Sequence, residues 1–193
     1  MKLYNTLSNS IELLSPTNKT VQMYVCGITP YDYAHIGHGR VYVTFDAFYR
    51  LLQFLGLDVS YCRNFTDVDD KLLCRALKEF NDAHKYKEVA DKYINAYHED
   101  MKALGCLSPS FEPRVTDNLP EIIKFVQGLI DAGKAYVAND GVYYSIASFP
   151  EYGKLSKRDV HDLKAGARVE VREDKHDPLD FALWKKEDAS EPG

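Results

Sequence analysis

Apolar residues along this chain recur with two different periods, and the period changes at glycines and prolines. Val21 to Val25 is a short run of β-branched and aromatic residues with the composition of a buried strand. Beyond a glycine-bearing loop, Val41, Phe45, Phe48, Leu52 and Leu55 follow at spacings of three and four. That spacing predicts a helix beginning near Gly37, with these five residues as its buried stripe and Gly56 as its stop. Leu57 to Phe65 reads as a second strand through Val59, Tyr61 and Phe65, followed by a helical run from Lys71 to about Phe80. A further helix is expected from about Tyr86 to Leu104, presenting Val89, Tyr93, Tyr97, Met101 and Leu104, with Gly105 beyond it. Strand, helix, strand, helix is the first half of a Rossmann-like parallel sheet with flanking helices, an α/β fold whose ligands sit at the carboxyl ends of the strands.

The pattern changes after Pro109 and Pro113, which mark a connection. A helix is predicted from near Asp117 to Ala132, with Leu119, Ile122, Ile123, Val126, Leu129 and Ile130 on one face, Pro120 in its first turn and Gly133 after it. Ala135 to Ala138 and Val142 to Ile146 flank Asn139-Asp140-Gly141, a hairpin signal. From Phe149 to Asp177 the chain is charged and irregular, and Leu179 to Trp184 is apolar again. The switch from parallel to antiparallel signals places a boundary near Arg114, giving a nucleotide-binding half over 1–114 and an inserted subdomain over 115–193. Residues 1–20, with Pro16 and a polar Thr17-Asn18-Lys19-Thr20 turn, read as an extended segment leading into the first core strand.

Composition narrows the classes. The 193 residues are 45% hydrophobic and 27% charged, enough for one or two globular domains. No apolar run approaches the roughly 18 residues of a membrane span, and the N-terminus lacks the apolar core of a signal peptide, so a cytoplasmic protein with no membrane partner is expected. Cys26, Cys62, Cys74 and Cys106 are too widely spaced for a Cys-x-x-Cys metal knuckle and read as free thiols in a reducing compartment. The net charge is −5, and Lys154, Lys157, Arg158, Lys164, Arg168, Arg172 and Lys175 are interleaved with acids, prolines and glycines. Such a balance argues against a free-standing nucleic-acid binder.

The densest chemistry lies between the first strand and the first helix. A helix start offers unpaired N–H groups and the positive end of the helix dipole, which together favour a phosphate. His35 and His38, three apart at that start, can both lean over such an anion. A neutral imidazole donates one N–H and a protonated one adds charge, so the pair can stabilise negative charge growing on phosphorus. Gly37 and Gly39 lack a Cβ and would let a bulky nucleoside lie against the backbone. Cys26, taken alone, has the ordinary reading of a small buried hydrophobe, but it ends a strand beside this pair and precedes Gly27. Thr66, Asp67, Asp69 and Asp70 have a local explanation as a helix cap with an acidic first turn. Cys62, Cys74 and Cys106 are expected to pack, and Trp184 to sit in a core.

The block Met23-Tyr24-Val25-Cys26-Gly27-Ile28-Thr29-Pro30-Tyr31-Asp32 and the His35-Ile36-Gly37-His38 signature that follows it resemble the first block of the cysteinyl-tRNA synthetases, within the class I aminoacyl-tRNA synthetases. Asn64-Phe65-Thr66-Asp67-Val68-Asp69-Asp70-Lys71, Glu112-Pro113-Arg114-Val115-Thr116-Asp117, Gly166-Ala167-Arg168-Val169 and Asp177-Pro178-Leu179-Asp180-Phe181-Ala182-Leu183-Trp184-Lys185 agree, so the resemblance covers essentially the whole chain.

The resemblance implies a cysteine–tRNA ligase: ATP and L-cysteine, with Mg²⁺, form cysteinyl-adenylate, and the cysteinyl group then passes to tRNA(Cys). His35 and His38 would be catalytic, His35, Gly37 and His38 would bind ATP, and Cys26, Gly27, Thr29 and Thr66 would line the cysteine pocket. Cys26 would also be a zinc ligand, joined in the family by a cysteine, a histidine and a glutamate supplied further along. Zinc takes thiolate at about 2.3 Å and so would favour a substrate thiol over a serine hydroxyl. Residues 115–193 would correspond to a connective-peptide insertion of helix plus β-hairpin, incomplete here. The later zinc ligands and the lysine-bearing loop have no counterpart in these residues, so the isolated chain is expected to be inactive or nearly so. Two rivals stand beside this reading: a mycothiol-type ligase joining cysteine to an amino sugar, and a non-catalytic fragment serving as a binding module.

Overall fold

The computed structural model describes residues 1–157 and 175–186. In chain order the elements are β1 (Lys2–Asn5), β2 (Ser10–Leu13), β3 (Thr20–Ile28), α1 (Ile36–Phe54), β4 (Asp58–Phe65), α2 (Asp70–Phe80), α3 (Tyr86–Ala103), α4 (Leu119–Asp131), β5 (Ala135–Ala138), β6 (Gly141–Tyr144) and β7 (Phe181–Lys185). Among the described residues, 16–119 form one compact unit, and 1–15, 120–157 and 175–186 form another. No helix among them is long and apolar enough to cross a membrane.

At the centre of the 16–119 unit, β3 and β4 run parallel, paired from Thr20↔Asp58 to Val25↔Arg63. β4 alternates, burying Val59, Tyr61, Arg63 and Phe65 on one side, as expected for a strand covered on that face by helices. The stretch after α3, expected to be only a connection, lies along the other edge of β4. It makes parallel bridges Cys62↔Phe111 and Phe65↔Arg114, with Arg63 N–H donating to Phe111 O at 3.0 Å and Phe65 N–H to Pro113 O at 2.9 Å. Pro113 is compatible with this edge because it is asked only for its carbonyl.

The buried stripe of α1 differs from the expected one. Tyr42, Asp46, Tyr49 and Leu52 are buried, whereas Val41, Phe45 and Leu55 are exposed. The reason is that the polar atoms of the inward residues find partners: Tyr42 Oη donates to Cys26 O at 3.1 Å, and Asp46 Oδ1 accepts from Leu107 N at 2.7 Å. Gly56 and Gly105, at φ 74° each, stop α1 and α3 as expected. α3 buries Val89, Tyr93, Tyr97 and Met101, while Leu104 lies beyond its end and is exposed. α2 is capped by Asp69, whose Oδ1 accepts from Lys71 N at 2.9 Å. Its Leu72, Leu73 and Ala76 pack with Tyr86, Val89, Ala90 and Tyr93 of α3. Asp67 is no part of that cap. It is buried, and it accepts from Thr116 N at 3.0 Å and Thr116 Oγ1 at 2.6 Å.

Besides the buried carboxylates Asp46 and Asp67, a cation is buried in this unit. Arg63 is 3% exposed, and its guanidinium lies 5.0 Å from the Tyr42 ring centroid and 4.9 Å from that of Tyr97. Its Nε donates to Glu112 Oε1 at 3.1 Å and its Nη2 donates to the same oxygen. Glu112 Oε2 meets His98 Nε2 at 3.0 Å. Burial works against the Arg63 charge, and Glu112 with the surrounding tyrosines outweighs it, so the guanidinium is held more firmly protonated than usual. Burial also pushes the Tyr42 phenol up to about 12.

In the second unit, β1 and β2 pair antiparallel, so the N-terminal segment is a hairpin and not a plain extended lead-in. The expected second hairpin is present as β5 and β6, joined through Asn139 and Asp140, and β7 adds antiparallel to β6. Gly141, at φ 157°, approaches β7 so closely that a Cβ would lie 2.2 Å from Trp184 O. Trp184 itself is 38% exposed and not a core residue. In α4 only Val126 is buried, and Ile123 of the expected apolar face is exposed. Asp180 is buried and accepts from Tyr136 Oη at 2.8 Å and Ile146 N at 2.9 Å, which ties the last motif to the sheet. The Gly166-Ala167-Arg168-Val169 motif and most of the charged stretch lie outside the described residues.

Removing one partner of a buried pair leaves the other uncompensated, at about 3–5 kcal/mol. Glu112→Ala is therefore expected to lower unfolding stability by about 3 kcal/mol in urea titration, and Glu112→Gln, which keeps an acceptor for Arg63, by clearly less. Equal losses from the two variants would contradict a role for the accepting oxygen and leave the charge alone as the stabilising feature.

Candidate functional site

The carboxyl ends of β3 and β4 carry the expected chemistry. Between Val25↔Arg63 and Ile28↔Phe65 the pairing slips, so that Cys26 and Gly27 face the single residue Asn64. This is a bulge, which bends a strand and re-aims its side chains. Cys26 comes out exposed, contrary to the reading of it as a small buried hydrophobe. Its thiol lies 3.8 Å from Gly27 O. Gly27, Thr29 and Thr66 are half-buried. Thr66 N donates to Ile28 O at 2.9 Å, Gly27 N donates to Asn64 Oδ1 at 2.9 Å, and Asn64 Nδ2 reaches Thr66 Oγ1 at 3.4 Å. Gly27 and Thr66 are thus joined through a residue that sequence reasoning passed over. Its signal was available: Asn64 opens a quoted motif and stands one strand away from Gly27.

His35 and His38 form a reciprocal cap at the start of α1. His35 Nδ1 accepts from Gly37 N at 3.1 Å, and His38 Nδ1 accepts from His35 N at 3.2 Å. The rings stack with centroids 3.9 Å apart and planes 13° apart. A ring nitrogen that accepts carries no proton, so both imidazoles are neutral here with the N–H on Nε2. Partial burial, and then the neighbouring His35, lower the His38 pKa from its ordinary 6.5. Three of the backbone N–H groups expected to meet an anion are in use: Gly37 N by the His35 ring, His38 N and Gly39 N by His35 O at 2.9 and 3.2 Å. The two Nε2–H groups are what the rings have left to offer an anion at this helix start. Gly37 also has a reason other than ligand access, since a Cβ there would fall 2.8 Å from the His35 ring. At Gly39 a Cβ would make only ordinary contact with Leu104, at 3.6 Å.

No hydrogen bond among the described residues joins the histidine pair to the Cys26–Gly27–Thr66 group. Beside the loop between them is an open cleft of about 350 Å³, lined by Tyr31, Asp32, Asp70, Lys71, Cys74, Arg75 and Lys78. Arg75 anchors that loop by bonding Asp32 Oδ2 at 3.1 Å and Glu79 Oε1 at 2.6 Å. Lys92, Arg75 and Tyr93 together hold the Glu79 carboxyl down at about 2. Cys74, expected to pack, is exposed, while Cys62 and Cys106 are half-buried; all four cysteines are free thiols. No group of three His, Cys, Asp or Glu side chains able to hold a metal occurs among the described residues. Zinc takes four ligands in its structural sites and three protein ligands in catalytic ones. Cys26 fits as a single thiolate ligand, and the described residues do not complete a zinc site.

Against known proteins, residues 13–193 match the family described as tRNA synthetases class I (C) catalytic domain. The chain belongs to that family. Relatives agree. A cysteine–tRNA ligase of Aquifex aeolicus is 50% identical over 193 residues, covering 100% of this chain and 38% of the relative. One of Thermosynechococcus vestitus is 52% identical over 190 residues, covering 96% and 38%. The chain spans 38% to 42% of the length of such relatives. Among solved structures, an arginyl tRNA synthetase from Campylobacter jejuni superposes with a TM-score of 0.54 at 12% identity, over 71% of this chain and 40% of that one. A LeuRS from Agrobacterium radiobacter, in ternary complex with tRNA and LeuAMS, gives 0.51 at 22% identity, over 69% and 18%. These two speak for the fold alone.

The α/β architecture, with its parallel strands and flanking helices, is that of a class I synthetase catalytic domain. In this family member the histidine cap has a pH signature. The folded His38 pKa is depressed, so the stability it contributes is present above about 6.5 and is lost as pH falls through the lower, folded value. In an NMR titration the His38 ring protons should move with a midpoint below 6.5, and the His35 amide, which donates to His38 Nδ1, should lose protection over the same range. A midpoint above 6.5 would mean that the ring does not accept from the backbone.

Proposed function

We propose that this chain is the N-terminal catalytic portion of a cysteine–tRNA ligase, activating L-cysteine with ATP and passing the cysteinyl group to tRNA(Cys). The observation that carries the reading is the neutral imidazole pair capping α1, in a chain half identical, over its whole length, to proteins named cysteine–tRNA ligase. In this reading the substrate carboxylate attacks the α-phosphorus of Mg²⁺-bound ATP and pyrophosphate leaves. His35 and His38 each direct an Nε2–H at phosphate oxygens, where charge grows in the transition state. Their rings need no reorientation to do so, because the backbone already holds each by Nδ1. Gly37 leaves room for the His35 ring beside the nucleotide.

Gly27, Thr29 and Thr66 line the cysteine pocket in this reading, and Cys26 presents its thiol at the pocket's edge as one zinc ligand, with the others supplied by the remainder of a longer protein. Bound zinc would supply thiolate affinity that a hydroxyl cannot match, separating cysteine from serine. The domain reading that goes with this assigns 1–114 to the nucleotide-binding half and 115–193 to a connective-peptide insertion. The change from parallel pairing on β4 to the antiparallel β5–β6–β7 sheet supports a boundary after the 110–115 stretch, while residues 1–15, with the antiparallel β1–β2 pair, group with 120–157 and 175–186.

The test is cysteine-dependent ATP–pyrophosphate exchange, and then tRNA charging, by a protein of the relatives' full length that contains this chain. Exchange with charging is the expected result. Acylation of a glucosaminyl acceptor instead of tRNA would overturn the substrate assignment, and absence of cysteine-dependent exchange would overturn the enzyme reading. In the same protein, His38→Ala is expected to lower kcat for adenylate formation about 100-fold, with a smaller change in KM for ATP. An effect confined to ATP affinity would remove His38 from the chemistry.

A further inference from the structure

The bulge at the end of β3 has an unusual economy of hydrogen bonds. Met23 and Val25 are buried, and strict alternation would turn residue 27 inward next; instead Ile28 is buried. The added residue shifts the phase by one, so Ile28 enters the core while Cys26 stays on the open side with Tyr24. Two backbone groups lose their place in the ladder as a result, and each is met by a side chain. The Cys26 carbonyl accepts from Tyr42 Oη at 3.1 Å, and the Gly27 N–H donates to Asn64 Oδ1 at 2.9 Å. The strands are so close here that a Cβ on Gly27 would fall 1.4 Å from Asn64 O. The other half of the Asn64 amide faces Thr66 Oγ1 at 3.4 Å.

We infer that Asn64 is a positioning residue for the Cys26 thiol and for the Gly27–Thr66 wall of the pocket. It stabilises the bulged register by replacing the missing ladder bond. A carboxamide suits the place because it accepts toward Gly27 and donates toward Thr66. Leucine has the shape and neither group; aspartate keeps the acceptor and loses the donor. That the pocket takes cysteine rests on the proposed function; that Asn64 sets the geometry of the bulge does not.

The experiment therefore reads the backbone and the thiol directly in this 193-residue chain. Hydrogen exchange at the Gly27 amide is followed by NMR, and iodoacetamide labelling of each cysteine-containing peptide by mass spectrometry. In the unmodified chain the Gly27 amide should be protected, and exchange there at an unstructured rate overturns the inference with no variant needed. Asn64→Ala should speed Gly27 exchange about tenfold, the scale of one lost hydrogen bond. It should also raise labelling at Cys26 while leaving Cys74, on α2, unchanged. Asn64→Asp should restore Gly27 protection. Gly27 exchange unchanged in Asn64→Ala, or labelling that rises at all four cysteines together, would overturn the positioning role. In the full-length protein, Asn64→Ala should raise KM for cysteine more than KM for ATP. If the unmodified protein shows no cysteine-dependent exchange, the proposed function fails while the Gly27 and Cys26 readouts still decide the role of Asn64.

Discussion

A guanidinium held away from water against two phenol rings constrains most of residues 16–119. Arg63 cannot stay charged at 3% exposure without a partner, and the partner is Glu112, far along the chain. Meeting that need draws the 110–115 stretch along β4 and closes the parallel bridges at Phe111 and Arg114. The same guanidinium lies against the Tyr42 and Tyr97 rings, which meet each other edge to face with centroids 5.3 Å apart. Tyr42 then reaches the Cys26 carbonyl. A buried ion pair and the exposed thiol of the candidate pocket are thus linked through a single tyrosine.

The quoted motifs acquire physical jobs in this frame. In Asn64-Phe65-Thr66-Asp67, Asn64 holds Gly27, Phe65 packs in the core, Thr66 extends the ladder to Ile28, and Asp67 receives Thr116. In Glu112-Pro113-Arg114-Val115-Thr116, Glu112 holds Arg63, Pro113 and Val115 pair with Phe65, Arg114 bonds Asp91 at 2.6 Å, and Thr116 closes on Asp67. Two stretches that look like separate sequence signatures are the two sides of one joint. Both sides need long-range partners, which is why each is rich in residues with committed hydrogen bonds.

How far the sequence could be read follows from which interactions are local. β4, α2 and α3 were legible because their apolar residues repeat at the period of the element, and Gly56, Gly105 and Asp69 punctuate them in the usual way. The stripe of α1 was not, because hydropathy ranks Phe45 above Tyr42 and Asp46, and only tertiary partners make a phenol and a carboxylate good interior residues. The strand-like role of 110–115 was hidden for a similar reason: prolines signal a break locally, and pairing with β4 is not a local event. At the site, the positions of the two histidines were legible and their bonds were not. The motif draws attention to what the rings offer a ligand, and it is silent on the backbone groups they have already accepted.

That last point limits which side chains the start of α1 can carry. A lysine or arginine in place of either histidine would bring more positive charge to a phosphate, but neither has a lone pair to accept with, and the Gly37 or His35 amide would be left unmet. Imidazole is two-faced, receiving at one ring atom and giving at the opposite one, with the two directions fixed by a rigid ring. Affinity for polyanions therefore cannot be strengthened at these positions simply by adding charge, and gains must come from residues whose backbone neighbours ask nothing of them.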